Sequence, residues 1–197
     1  MIAIAAESGE IGSIPMSAAE MAAAGGTENR SGYEPWMRGT HADLPVVPRA
    51  VLHALELARE DVERWCVHLT DEEWNLCPPD SPSTAFHVRH MVRSMDRLLM
   101  YAESERLSGL QLEMLNGEMS WATGDEVMRE FRTALAKAEK RVRALGSADL
   151  EAKRVLGRKA LPTSVGGLLV HVAEHTARHT GQAISTAKLA MAGRGSF

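Results

Sequence analysis

Apolar residues recur at helical spacing along most of the chain, and alternating strand patterns are nearly absent. In the first such stretch they follow Pro48, a residue that suits the first position of a helix. The apolar positions of this stretch, three, four or seven residues apart, are Leu52, Leu55, Val62, Trp65 and Leu69. No Asn-Gly or Asp-Gly pair separates two alternating segments. The pattern therefore predicts an all-α fold.

Polar residues mark where further helices begin. Thr70 and Glu73 have the spacing of a capping box, which predicts a short helical turn after the first helix. The segment "CPPDSPST" then breaks the chain, and either Ser81 or Ser83 can cap a second helix that runs through "AFHVRHMVRSMDRLLMYAESERL". The sequence thus predicts a second long helix without deciding between the two serines.

Two more helices follow the same logic. Thr123 and Glu126 form another capping-box pair, and the helix that they open is predicted to end at Gly146. The last helix is predicted to begin near Thr163 or Ser164 and to continue to Gly193. Four amphipathic helices joined by modest links are typical of a four-helix bundle. The longer links, at about 107–122 and 147–162, leave the connectivity open.

Composition divides the chain into two parts. Residues 1–40 are rich in Ala, Gly, Ser and Glu, and we expect them to form a flexible or loosely packed N-terminal tail. Residues 41–193 carry the helical pattern and are expected to form one bundle domain. Whether the tail is native sequence or an upstream-start artefact is left open.

Charge and cysteine content narrow the function classes. The net charge of -4 argues against an extended basic surface, so no nucleic acid partner is expected. No apolar run is long enough to span a bilayer, so no membrane partner is expected either. The two cysteines, Cys66 and Cys77, do not form a disulfide framework. We therefore expect a cytoplasmic protein.

Histidines supply the candidate chemistry. His175 and His179 are four residues apart on the last helix, so both imidazoles can point at one ion, and His171 lies one turn earlier. A further ligand must come from another helix, where His87 and His90 share one face. On spacing alone, metal binding and ordinary hydrogen-bonded or exposed histidines are both open.

The segments "FHVRHMVRSMDRLLMYAE" and "GGLLVHVAEHTARHTGQAI" resemble the DinB-like (YfiT-like) superfamily of metal-binding four-helix bundles, and the resemblance covers about residues 33–192. It implies a divalent metal ion held by His90, His175 and His179. His87 is kept as an alternate for His90. His171 is kept as a further alternate, although the resemblance implies a pocket or packing role for it. The metal, which is Zn, Ni, Fe or Mn, is not identified.

The same resemblance implies what the protein does. Relatives in this superfamily include thiol-dependent S-transferases and isomerases, and others are described as hydrolases. We expect a metal-dependent enzyme that activates a low-molecular-weight thiol or water toward a small-molecule electrophile, with a non-catalytic, stress-associated metal-binding module as the alternative. The resemblance also implies a homodimer. No catalytic residue is assigned, and Glu174 and Ser94 are the candidates for hydrogen bonding the ligand histidines.

Overall fold

A computed structural model of the chain describes residues 32–193. Within that range lie six α-helices and one short two-stranded hairpin. In chain order they are α1 (Val46–Trp65), α2 (Asp71–Asn75), α3 (Thr84–Ala102), α4 (Gly109–Asn116), α5 (Gly124–Ala144), β1 (Lys153–Leu156), β2 (Leu161–Ser164) and α6 (Val165–Ala192). Single 3-10 turns lie at Pro35–Met37 and Leu145–Ser147. The predicted helical fold is confirmed.

Side-chain caps fix where three of the long helices begin. Ser83, not Ser81, caps α3, since its Oγ accepts a hydrogen bond from the backbone N–H of Phe86. Thr123 and Glu126 form the predicted reciprocal pair at the start of α5. Ser164 caps α6 by accepting from an N–H of its first turn. Each cap satisfies a backbone donor that the helix itself leaves unpaired.

The short helix α2 places an indole ring in the core. The predicted pair Thr70 and Glu73 caps it reciprocally. Its Trp74 is buried, and a Cβ atom added to Gly124 would lie 2.4 Å from the indole Nε1. Only glycine therefore allows α5 to begin this close to Trp74.

Helix α6 is the main packing partner in the bundle. It packs against α3 and α1, and both of those helices also pack against α5. The largest fully buried side chains come from all four long helices and from α2: Trp74, Phe131, Leu52, Met91, Met95, Leu99, Leu135, Leu169, Val51, Val62, Val88 and Val92. Burial of such side chains contributes about 1.5–3 kcal/mol each. This core fixes α3 and α6 side by side.

Two elements lie in the links whose structure the sequence left open. Helix α4 is capped reciprocally by Ser108 and Gln111. None of its residues is buried, so its apolar residues do not form the one-sided pattern from which a helix is predicted. The hairpin pairs β1 with β2 around a turn in which Gly157 and Ala160 have positive φ. Its strands are only four residues long, too short for an alternating pattern to be recognised.

The start of the first helix also differs from the prediction. Pro45 occupies the N-cap and α1 begins at Val46, so Pro48 lies in the first turn instead of at its first position. Proline is tolerated there because the N–H groups of the first turn have no intrahelical partner. No helix among residues 32–193 has both the length and the apolar character needed to cross a membrane.

The predicted N-terminal tail is only partly described. Residues 1–31 lie outside the described range, and the boundary predicted near residue 40 stays a prediction. Pro35 is buried, and the Arg38 guanidinium donates to both carboxylate oxygens of Glu60 on α1, at 2.5 and 2.8 Å. The segment that follows residue 34 is thus in contact with the bundle.

Candidate metal centre

Helix α6 presents three histidines that differ in burial. His175 is buried, His179 is half-buried, and the side chain of His171 is 44% exposed. The rings of His175 and His179 have centroids 4.4 Å apart, as expected for residues one turn apart on the same face. His171 instead lies 3.3 Å from the carboxylate of Glu174 at the surface. Only the last two histidines of the stripe face the bundle interior.

Helix α3 supplies the third imidazole. The ring of His90 lies 4.6 Å from the ring of His179 and 5.0 Å from the ring of His175, measured between centroids. One ring nitrogen from each of the three histidines lies within 4.8 Å of the others. We call His90, His175 and His179 the bundle cluster. Its donor set is one that zinc and similar borderline divalent ions accept.

The alternate His87 lies beside the bundle cluster without joining it. Its side chain is almost fully buried, and its Nδ1 is 3.3 Å from Nδ1 of His179. One of these nitrogens donates and the other accepts, so each ring fixes the tautomer of the other. His87 and His171 do not belong to the group of nitrogens that lie mutually within 4.8 Å. The geometry thus favours His87 as a hydrogen-bond partner of His179.

Burial keeps the inner imidazoles neutral. It lowers the pKa of His175 to about 4, and the nearby His90 adds to the shift. Burial likewise lowers the pKa of His179 to about 3, with His175 as the next cause. The pKa of His87 is also lowered, first by burial and then by His90. At neutral pH His175 therefore keeps a nitrogen lone pair that can bind a cation, and His179 keeps one on Nε2 when its Nδ1–H donates to His87.

A buried carboxylate that sequence reasoning missed holds His90. Glu118 is 5% exposed, and one of its oxygens lies 2.7 Å from Nδ1 of His90 while the other accepts from Arg97 at 3.0 Å. Burial alone would raise the pKa of Glu118, but the hydrogen bonds from His90 and Arg97 outweigh it and lower the pKa. Because Nδ1 of His90 faces the carboxylate, Nε2 is the nitrogen left to bind an ion.

The partners proposed from the sequence lie elsewhere. Glu174 is exposed and pairs with Arg178 and His171 on the outer side of α6. Among the described residues Ser94 forms no hydrogen bond to the bundle cluster. Glu118 lies in the link between α4 and α5, in "NGEMS", where a single acidic residue carries no pattern. Only the folding of that link against α3 shows its role.

A cleft of about 630 Å³ runs between α3 and α5 and is partly covered by α4. It is lined by arginines such as Arg93 and Arg97 and by Trp121, and by no histidine. Arg97 belongs both to the lining of the cleft and to the ion pair with Glu118. One ion pair therefore joins the wall of the cleft to the hydrogen bond that orients His90.

Comparison with known proteins places the chain in a family. A family model of the DinB superfamily matches residues 54–183, more than half of the chain, and this range contains all three histidines of the bundle cluster. No curated protein and no solved structure matches the chain. The chain belongs to the DinB superfamily.

Proposed function

We propose that the protein binds one divalent metal ion through His90, His175 and His179. The observation that carries this proposal is the convergence of one nitrogen from each residue to within 4.8 Å, from two helices that the core holds together. Nitrogens around a tetrahedral ion are about 3.4 Å apart, given bonds of about 2.0–2.1 Å. An ion bound here would draw the three nitrogens together from their present separations of up to 4.8 Å.

Two of the three proposed ligands, His175 and His179, are also in the uncharged form that binds a metal ion. His175 and His179 are neutral because burial lowers the pKa of each, so no proton has to be removed before they bind a cation. Glu118 and His87 hold the far nitrogens of His90 and His179. Such outer hydrogen bonds orient ligand rings and raise their basicity.

The activity that we propose is metal-dependent attack of a thiol or water on a small electrophile, of the S-transferase or hydrolase type. Three protein ligands leave coordination positions for a further molecule, and a divalent ion supplies Lewis acidity that lowers the pKa of a thiol or water. The residues of the chain provide the rest. His90, His175 and His179 would hold the ion, Glu118 orients His90, and Arg97 joins the site to the cleft.

A specific observation also favours the alternative, a metal-binding module without catalysis. Glu118, the carboxylate that contacts the bundle cluster, already accepts from His90 and Arg97 through both of its oxygens. It is therefore engaged in positioning and is not a free general base. Any enzyme at this site would depend on the ion itself to generate its nucleophile.

The remaining expectations stay part of this proposal. We propose a low-molecular-weight thiol as co-substrate, a cytoplasmic location and a homodimer. We propose Zn, Ni, Fe or Mn as the ion, and imidazole ligands suit the first three best. Sedimentation equilibrium of the purified chain tests the dimer directly.

The experiment that tests the proposed function combines metal content with turnover. His90→Ala and His175→Ala are each expected to lower the bound metal by one equivalent, while His171→Ala keeps it because His171 lies outside the cluster. Turnover of an electrophile panel, with and without added thiol, is expected to be lost in the first two variants only. Unchanged metal content in both would contradict the site. Full metal loading without turnover would favour the non-catalytic module.

A further inference from the structure

A second group of metal-binding side chains lies away from the bundle cluster. His41 is in the link before α1, and His53 and Glu56 are three residues apart on α1 itself. One ligand atom from each lies within 4.8 Å of the others, and all three residues are half-buried. We call His41, His53 and Glu56 the link cluster. Two imidazoles and one carboxylate form a common donor set for zinc.

Glu56 has an unfilled acceptor at this position. One carboxylate oxygen lies 2.6 Å from Nε2 of His41. The other oxygen, Oε2, is buried and has no hydrogen-bond partner among the described residues. A buried carboxylate oxygen without a partner is costly, because it has given up water and gained nothing in exchange. A bound cation would satisfy it.

The backbone of the link holds His41 against α1. His41 has φ of 57°, in the left-handed region that a non-glycine residue adopts only where its surroundings hold it there. The preceding residue, Thr40, is tied to His53, whose Nε2 lies 3.1 Å from the Thr40 hydroxyl and 3.2 Å from its carbonyl oxygen. Because a carbonyl only accepts, Nε2 of His53 carries the proton and Nδ1 keeps a lone pair.

Arg143 on α5 is the competing group. Its guanidinium donates to Nδ1 of His41 at 2.6 Å, so His41 at present carries its proton on Nε2 and donates it to Glu56. Binding a cation through Nε2 would move that proton to Nδ1, with no net release, and Arg143 would have to leave. Asp43 and Glu139 lie 3.4 and 3.5 Å from the same guanidinium and can retain it.

We propose that the link cluster is a second metal site, which binds a borderline divalent cation such as zinc in competition with Arg143. The ion joins the link before α1 to α1 itself, and it fills the free acceptor of Glu56. This site is independent of the bundle cluster, because the two groups share no residue and no hydrogen bond. The role that we assign to this ion is structural, since its ligands join the link to one helix.

The test is a zinc-binding stoichiometry on the full chain by equilibrium dialysis and elemental analysis. The unsubstituted protein is expected to bind two equivalents, Glu56→Gln one, His175→Ala one, and the double variant none. His68→Ala is the control and is expected to bind two. Circular dichroism confirms that each variant is folded. Glu56→Gln keeps the shape of the side chain, so loss of one equivalent there reports the ligand and not the fold.

The outcomes separate this site from the bundle cluster. If His175→Ala still binds one equivalent and the double variant none, the link cluster stands whether or not the bundle cluster catalyses anything. If Glu56→Gln and the unsubstituted protein bind the same amount, the proposal is overturned. Arg143→Ala is expected to bind zinc at the link cluster about tenfold more tightly, because a positive charge next to the cation is removed. Weaker or unchanged binding would overturn the competition.

Discussion

The two histidine clusters are built on different supports. The bundle cluster stands on α3 and α6, two helices held by the hydrophobic core, and hydrogen bonds with Glu118 and His87 orient two of its rings. The link cluster depends on one residue of a turn, His41, that polar contacts with α1 and α5 hold in place. The difference shows that the backbone carrying a histidine can be held in place either by a nonpolar core or by hydrogen bonds and ion pairs. These two supports respond to different perturbations.

The largest expected effect comes from weakening the nonpolar support. Leu169 on α6 is fully buried, and Leu169→Ala leaves a cavity, which is expected to lower the free energy of unfolding by about 2–5 kcal/mol. Val170→Ala, at the adjacent position, is the control, because Val170 is 55% exposed. Urea unfolding followed by circular dichroism measures both. Equal losses in the two variants would contradict the assignment of Leu169 to the support of α6.

The next largest effect tests the hydrogen bond between Glu118 and the ligand His90. Glu118→Gln keeps the size of the side chain but removes its charge, and it is expected to weaken zinc binding at the bundle cluster by about 10–100-fold. The measurement is a zinc titration against a competing chelator in the His53→Ala background, where only the bundle cluster remains. Glu174→Gln is expected to leave the affinity unchanged, since Glu174 contacts no ligand. If Glu118→Gln and Glu174→Gln bind zinc with the same affinity, Glu118 does not act through His90.

Much of the bundle cluster is visible in the sequence, because one helical repeat puts His175 and His179 on the same face. The capping pairs at Thr70 and Thr123 likewise follow from short local spacing, and both are present. Local rules are sufficient where a single helix decides the geometry.

Other features depend on contacts between distant parts of the chain. Glu118 reaches His90 only because a link folds back over α3, and no local pattern encodes that contact. His41 contacts α1 because its backbone adopts a left-handed conformation, which a histidine in the sequence does not predict. The sequence does not predict the hairpin or α4 for a related reason. Their short segments bury too little apolar surface to show a periodic pattern. Their positions are decided by tertiary contacts.

The two cysteines also differ in burial, one in the core and one in a loop. Burial raises the pKa of Cys66 to about 12 from its ordinary value of 9.0, whereas Cys77 is exposed. Above pH 9 the unfolded chain loses the Cys66 proton while the folded chain keeps it, so stability falls as the pH rises, by roughly 1 kcal/mol at pH 10. Urea unfolding at pH 8 and 10 measures this loss. It is expected to disappear in Cys66→Ala and to persist in Cys77→Ala.

The smallest expected effect concerns the ion pair between Arg38, in the link before α1, and Glu60 on α1. Arg38→Ala removes the ion pair with Glu60, and it is expected to lower the midpoint of urea unfolding far less than Leu169→Ala does. The Arg38 and Glu60 side chains are 19% and 47% exposed, so water screens the pair, and the long side chains lose freedom when they pair. A loss as large as that of Leu169→Ala would show that the link is held as firmly as the core, and the contrast between the two supports would fail.

The hydrogen bond from His90 to Glu118 has a consequence for protein design. Four positions supply the three ligand histidines and the carboxylate that orients His90: one histidine on α3, two on α6 and one carboxylate in a neighbouring loop. Helix α1 contributes no side chain to them. A designer could therefore graft this set onto any pair of packed helices with the same spacing. The loop that delivers the carboxylate, more than the histidines, would be the part that has to be built with care.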